Sequence, residues 1–202
     1  MSMKTNKKGT LKILIIVVLS ILIVLALVVF LCPLPFHKEF KCIRIRLDEP
    51  SYEEEVLIGF DGYYHLNLFS EDSFSGVMTT VYSNQKDSAE ITGLLISKEG
   101  AYLYVHQADD GSVYISAHSA PLPLEEDSLK NKEVRFCGGR LDSERFFKRF
   151  AFLSCAEVPA GQHHGWDFWN WNETDGICIV PDCEDYESAR QYLVEMGIIQ
   201  MD

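Results

Sequence analysis

Residues 56–69 have the sequence VLIGFDGYYHLNLF, in which two apolar runs are separated by Asp61-Gly62. The runs 56–60 and 63–69 are rich in aromatic and β-branched residues, which favour β-strands. An Asp-Gly pair between such runs is typical of a tight turn, because glycine readily takes the positive φ that the turn requires. The stretch therefore predicts a β-hairpin and favours a mainly β fold.

Similar segments continue along the chain, separated by short turns that end in glycine at Gly100 and Gly111. The further strand candidates are 40–47, 74–82, 90–97, 101–107, 112–118, 133–137 and 176–180. Many short strands joined by short turns predict an antiparallel β meander that forms a sandwich or a barrel-like domain. An aromatic-rich stretch at 146–155 is expected to lie in its core.

One soluble helix is predicted near the end of the chain. The predicted fold class is therefore mainly β, of the α+β type, with one C-terminal helix. Asp182 is the expected N-terminal cap, and Gly197 suits the end of the helix. Apolar residues recur between them at steps of three and four: Tyr186, Ala189, Leu193 and Met196. This spacing predicts that the helix packs its apolar stripe against the sheet.

A different kind of helix is predicted at the start of the chain. Residues 13–32 contain no charged residue, and about 20 apolar residues are enough to cross a bilayer as one helix. The lysines at 4, 7, 8 and 12 precede this run, and Pro33 and Pro35 follow it. The segment is therefore predicted to be a single transmembrane anchor.

Two processed forms compete with an uncleaved anchor. A cleaved signal peptide has a shorter apolar core and a small-residue cleavage site. Here the run is longer, and the residues Val29-Phe30-Leu31 before Cys32 are all large. The same bulk argues against a lipoprotein modified at Cys32. The uncleaved anchor is the favoured interpretation.

The anchor divides the chain into four parts with an expected orientation. They are a basic cytoplasmic tail (1–12), the membrane span (13–32), a linker (33–39) and an extracytoplasmic β-rich domain (40–202). The lysines favour a cytoplasmic N-terminus, although basic residues also follow the span. All 30 acidic residues lie beyond the span, which supports placing the domain outside.

Charge excludes one class of partner for this domain. The chain has 18 basic and 30 acidic residues, and four of the basic ones are the leading lysines. The rest therefore carries 14 − 30 = −16. An acidic domain repels phosphates, so no nucleic-acid partner is expected.

The best candidate for a binding surface is an aromatic segment late in the chain. All three tryptophans fall within six residues, and the candidate binding residues are Trp166, Phe168, Trp169 and Trp171. Tryptophan is enriched in binding surfaces and can stack on sugar rings, so a protein or glycan partner is expected. The alternative is that the indoles fold inward and cover one end of the sheet structure.

No motif in the sequence organises catalytic chemistry. There is no GxSxG elbow, phosphate-binding glycine loop or HExxH pair, and His163-His164 lacks metal-ligand spacing. We therefore expect no cofactor, no metal site and no catalytic residue. The predicted function is a membrane-anchored domain that binds a protein or a cell-envelope component. The alternative is a cell-envelope hydrolase whose site is assembled from distant strands.

The cysteines leave two interpretations open. Five of the six belong to the domain: Cys42, Cys137, Cys155, Cys178 and Cys183. Outside the cell some of them would form disulfides, whereas in a reducing habitat they would serve as small buried apolar side chains.

Overall fold

The computed structural model describes residues 7–82, 85–107, 113–119, 136–154 and 171–200. These residues form two helices and nine strands. They are α1 (Lys7–Leu31), β1 (Leu34–Arg46), β2 (Glu49–His65), β3 (Asp72–Tyr82), β4 (Gln85–Ile96), β5 (Ala101–Gln107), β6 (Val113–His118), β7 (Phe136–Ser143), β8 (Phe150–Ser154), β9 (Ile177–Pro181) and α2 (Tyr186–Glu195). A 3-10 turn at Arg145–Phe147 connects β7 to β8.

The nine strands form a closed barrel in the order β1-β2-β3-β4-β6-β5-β7-β8-β9. The predicted mainly β class is thus confirmed. Of the two predicted forms, a sandwich and a barrel, the structure has the barrel. Eight of the nine strand pairings are antiparallel, but the strands do not follow one another as the predicted meander would. The strand β6 lies between β4 and β5 and runs parallel to β4, through the pairs Glu90 with Tyr114 to Thr92 with Ser116. Short turns predict a change of direction but not which strands become neighbours.

The predicted hairpin at Asp61-Gly62 was also wrong, because β2 continues through both residues. Gly62 pairs with Gly76 on β3. A Cβ at Gly62 would lie 2.6 Å from Gly76 Cα and 2.3 Å from the Ser75 carbonyl oxygen. Glycine inside a strand often marks such a close approach of two backbones, and that is its role here.

Two element boundaries also differ from those predicted. The strand β1 begins at Leu34, so most of the segment 33–39, expected as a linker, belongs to the barrel. The cap of α2 is Asp185 instead of Asp182, since the Asp185 side chain accepts a hydrogen bond from the Ser188 backbone N–H at 2.8 Å. The end of the helix at Gly197 is confirmed, and that glycine has a φ of 74°.

The barrel interior is filled by aromatic rings. Phe60 stacks on Phe147 with ring centroids 4.2 Å apart, and it meets Phe74 edge to face at 5.6 Å. Phe40 meets Phe150 edge to face at 4.8 Å. All five rings are buried. Rings in these arrangements add stabilisation beyond the burial of their apolar area.

A second apolar cluster lies between the outside of the barrel and α2. Ile43, Ile45, Ala151, Leu153, Cys178 and Val180 supply the barrel side, and Tyr186, Ala189 and Leu193 supply the helix side. The predicted apolar stripe of the helix is confirmed, with Met196 partly buried at its end. The Tyr186 hydroxyl also donates a hydrogen bond to the Leu47 carbonyl oxygen at 2.9 Å, which fixes the helix to the β1–β2 turn.

This packing predicts the effect of truncating the helix stripe. Leu193 is fully buried, so Leu193→Ala should lower the free energy of unfolding by about 2–3 kcal/mol. This is the lower part of the range usual for truncating a buried leucine, because a site under a surface helix can partly collapse. Glu187→Ala, on the exposed face, is the control and should change it by less than about 0.5 kcal/mol. Equal denaturation midpoints for the two variants would contradict this packing.

The N-terminal helix α1 has 25 residues, and its described side chains run from Leu11 to Leu25. The large apolar side chains in that range are all exposed. No helix in the described part of the chain meets the combined length and hydropathy required of a membrane span.

The described cysteines are all free thiols: Cys32, Cys42, Cys178 and Cys183. Cys42 and Cys178 are buried and act as small apolar side chains. Burial raises the pKa of the Cys42 thiol to about 12, so this group stays protonated at neutral pH. The side chains of Cys137 and Cys155 lie outside the described residues.

Candidate functional site

The pairing of the strands gives the barrel two distinct ends. At the proximal end β1 begins, three residues after the last residue of α1, and Leu34 pairs with Tyr64. At the distal end β1 turns into β2, where Arg46 pairs with Glu49, and Ser154 pairs with Ile177. Each end contains a candidate site.

The predicted aromatic binding segment is connected to the distal end. Trp166, Phe168 and Trp169 lie outside the described residues, so their binding role stays a prediction. Trp171 opens the described segment that leads into β9 and is partly buried against the second apolar cluster. Of the four predicted residues, the structure thus places Trp171 as a packing residue.

The turn after Trp171 is held by hydrogen bonds from its own residues. The Asn172 side-chain oxygen accepts from the backbone N–H groups of Thr174 and Asp175 at 2.7 and 3.1 Å. A Cβ at Gly176 would lie 2.3 Å from Trp171 Nε1, so the glycine leaves the space that the indole occupies beside the turn. This geometry fixes the Trp171 ring at the entrance to β9.

The indole N–H of Trp171 is buried. Trp171 packs against the cluster that contains Cys178. Burial raises the pKa of the Cys178 thiol to about 12, and the indole opposes part of that rise. The thiol therefore remains protonated at neutral pH and is a poor nucleophile.

The proximal end contains a buried polar cluster that the sequence did not indicate. The Tyr64 hydroxyl donates to Asp72 Oδ2 at 3.0 Å, and Arg145 Nε lies 3.2 Å from the same oxygen. Asp72 Oδ1 accepts from the Asn67 backbone N–H at 2.9 Å. Burial raises the pKa of Tyr64 well above its usual range, which keeps the hydroxyl protonated as a donor. The carboxylate thus ties together the β2–β3 connection and the 3-10 turn.

The 3-10 turn closes this end of the barrel in an unusual backbone conformation. Phe146 and Phe147 have φ values of 57° and 49°, which non-glycine residues rarely adopt. Phe147 points into the barrel and is fully buried, whereas the Phe146 ring stacks outside it on Tyr64 at 4.5 Å. The Phe146 backbone N–H also donates to the Tyr64 hydroxyl at 2.9 Å. These contacts hold a conformation that otherwise costs about 1–3 kcal/mol per residue.

Ion pairs support the same turn. The Arg149 guanidinium and then the Lys98 ammonium, 3.2 Å away, lower the pKa of the Glu144 carboxyl to about 2. Glu144 therefore stays ionised throughout the neutral range. The group of charges positions the turn and does not offer a proton for catalysis.

A shallow depression of about 290 Å³ lies on the outer wall, lined by Pro35, Phe36, His37, Asp61, Gly62 and Tyr63. His37 Nδ1 lies 3.6 Å from Asp61 Oδ2, and both side chains are largely exposed. A histidine–carboxylate pair in open water lacks the desolvation that usually activates a catalytic base. No group of three or more metal-binding side chains is found within the described ranges.

The comparisons with known proteins identify no relative. No family model matches the chain, and neither a curated protein nor a solved structure matches it.

Proposed function

We propose that the protein is a single-pass membrane protein whose α1 anchors an extracytoplasmic β-barrel, and that the barrel binds a protein or a cell-envelope component. The observation that carries the proposal is the apolar surface of α1. Its run from Ile13 to Cys32 has no charge, and the large side chains described between Leu11 and Leu25 are all exposed. A helix that is apolar on all faces needs an apolar environment.

The orientation follows from the charges at the two sides of α1. Four lysines and no acidic residue precede the run, which favours a cytoplasmic N-terminus. The remaining charge of 14 − 30 = −16 suits a soluble domain outside the membrane and disfavours nucleic acid as a partner.

The filled interior favours binding over catalysis. The five core phenylalanines occupy the space in which a small barrel could hold a ligand, so an enzyme site inside the barrel is disfavoured. A hydrolase would instead need a concave polar site with shielded histidine or carboxylate groups. In the described part of the chain the depression beside His37 and Asp61 is open and exposed, so it gives the hydrolase alternative little support.

The distal end is the expected binding surface. It lies at the opposite end of the barrel from the connection to α1, and the predicted aromatic segment follows Ser154 there and leads to Trp171. Trp166, Phe168 and Trp169 are the residues proposed to contact a protein or glycan, because tryptophan supplies large rigid contact area. Trp171 is proposed to support the segment by packing against the barrel.

Capture from envelope fractions tests this division of roles. The full chain in detergent should retain a component identified by mass spectrometry, and a Trp166→Ala/Trp169→Ala variant should retain much less while unfolding at the same denaturant concentration. Glu187→Ala is the matched control and should capture normally. Unchanged capture by the double variant, or a loss of stability that explains its reduced capture, would count against the aromatic surface.

A further inference from the structure

Outside α1, large apolar side chains are exposed mainly at one place in the described structure. Tyr63, Leu68, Phe69 and Phe146 are 55%, 60%, 99% and 41% exposed, and all four lie at the proximal end. Tyr63 is near the end of β2, Leu68 and Phe69 are in the β2–β3 connection, and Phe146 is in the 3-10 turn. We call these four residues the proximal rim.

The chain holds this rim close to the end of α1. Leu31 is the last residue of the helix and Leu34 the first of β1, so three residue steps, at most about 11 Å, separate them. Leu34 pairs directly with Tyr64, the neighbour of Tyr63 and the stacking partner of Phe146. Any bilayer that contains α1 therefore lies next to the rim.

The connection that bears the two most exposed side chains is held by polar contacts at its base. The Asn67 backbone N–H donates to Asp72, and its side chain donates to the Glu71 carbonyl oxygen at 2.8 Å. Arg145 donates to the Asn67 carbonyl oxygen at 3.3 Å. These contacts already order the backbone of the β2–β3 connection. Leu68 and Phe69 can therefore contact a partner surface without a further entropic cost of ordering that backbone.

The charges of three described connections at the proximal end permit contact with lipid, in contrast to the acidic remainder of the domain. The segments 66–72, 97–100 and 144–149 contain four basic and four acidic residues, so their charges cancel. The basic ones are Lys98, Arg145, Lys148 and Arg149, and the acidic ones are Glu71, Asp72, Glu99 and Glu144. A neutral surface that carries aromatic and aliphatic side chains suits the headgroup region of a bilayer.

We propose that the proximal rim inserts into the interface of the bilayer that holds α1, with Leu68 and Phe69 reaching the boundary between headgroups and acyl chains. The inference rests on the proposed membrane anchor. It gives the barrel a fixed orientation, because contact at the rim as well as through α1 holds the proximal end down. The distal end then points away from the membrane toward a partner.

The test uses two variants of the full chain, each reconstituted in phosphatidylcholine vesicles. Each variant has one added tryptophan, at the proximal end of the barrel in one and at the distal end in the other. Phe69→Trp reports the rim, and Pro50→Trp, at an exposed position near the distal start of β2, is the matched control. Emission from each added tryptophan is obtained by subtracting the spectrum of the parent chain. With lipid brominated near the headgroup, we expect most of the added emission of Phe69→Trp to be lost and that of Pro50→Trp to be unaffected. The indole added by Phe69→Trp should also emit at shorter wavelength and be shielded from acrylamide.

The outcomes separate the rim from the anchor. If an alkaline carbonate wash leaves the protein in the vesicles but acrylamide quenches the Phe69→Trp indole as strongly as the control, the rim inference is wrong and the anchor stands. If that indole is shielded from both quenchers, the rim is covered by protein, such as a second copy, and the inference is again wrong. Release by carbonate would overturn the anchor and the rim together.

Discussion

Phe147→Ala should lower the free energy of unfolding by about 3–5 kcal/mol. Phe147 is fully buried and contacts five other aromatic rings: Phe36, Phe60, Tyr64, Phe74 and Phe150. The Phe147→Ala variant would keep the strained backbone φ of 49° and lose all five ring contacts. The ring contacts would then no longer offset the cost of that backbone strain. Urea denaturation of the full chain in detergent, followed by circular dichroism, measures the difference.

The neighbouring phenylalanine is the matched control. Phe146 has nearly the same backbone conformation, but its ring lies on the outside and contacts Tyr64 alone among the described rings. Phe146→Ala should therefore cost about 1 kcal/mol, as expected for loss of one aromatic pair. If the two variants unfold at the same urea concentration, Phe147 does not close the barrel as described.

Gly62→Ala should cost about 3 kcal/mol or more, which is large for the addition of one methyl group. The new Cβ would lie 2.3 Å from a backbone oxygen and 2.6 Å from a Cα on β3, and backbone atoms inside a closed barrel cannot move away cheaply. The strands β2 and β3 would have to separate around the pair of Gly62 and Gly76. Thermal unfolding measures the change.

Gly59→Ala tests whether the effect belongs to the close approach instead of to glycine in general. Gly59 lies on the same strand, and a Cβ there would meet its nearest neighbours at ordinary distances of 3.7 and 3.8 Å. Because alanine suits a strand better than glycine, this variant should be neutral or more stable by about 0.5–1 kcal/mol. Equal losses at both positions would show that the Gly62–Gly76 contact is not the cause.

The sequence was sufficient to predict elements whose signal is local. The apolar stripe of α2 is confirmed because a helix repeats every 3.6 residues, so Tyr186, Ala189 and Leu193 must share a face. The strand candidate at 40–47 likewise predicted the second half of β1. Both predictions depend only on residues a few positions apart.

The predictions that failed depended on contacts between distant segments. Asp61-Gly62 has the composition of a turn, but its conformation is decided by the close approach of Gly76 on another strand. The insertion of β6 between β4 and β5 depends on how the barrel closes, which no short window contains. The cap at Asp185 is the exception, a local miss: Asp182 and Asp185 are chemically equivalent, and only the nearby Ser188 contact distinguishes them.

The proximal polar cluster could not be predicted for a similar reason. Tyr64, Asp72 and Arg145 come from three separate segments, and each residue alone is unremarkable in the sequence. A weak signal existed in Leu68 and Phe69, two large apolar residues beside the polar Ser70 and Glu71 at the end of a predicted strand. The closed barrel is what brings these residues near the start of β1.

Digestion of intact cells by an external protease tests the central claim, that α1 holds the barrel outside the membrane. The chain carries one epitope tag before Lys4 and another after Asp202. We expect the C-terminal tag to be lost and the N-terminal tag to remain on a membrane-bound fragment, whereas permeabilised cells should lose both. Survival of the C-terminal tag until the cells are opened would contradict the account.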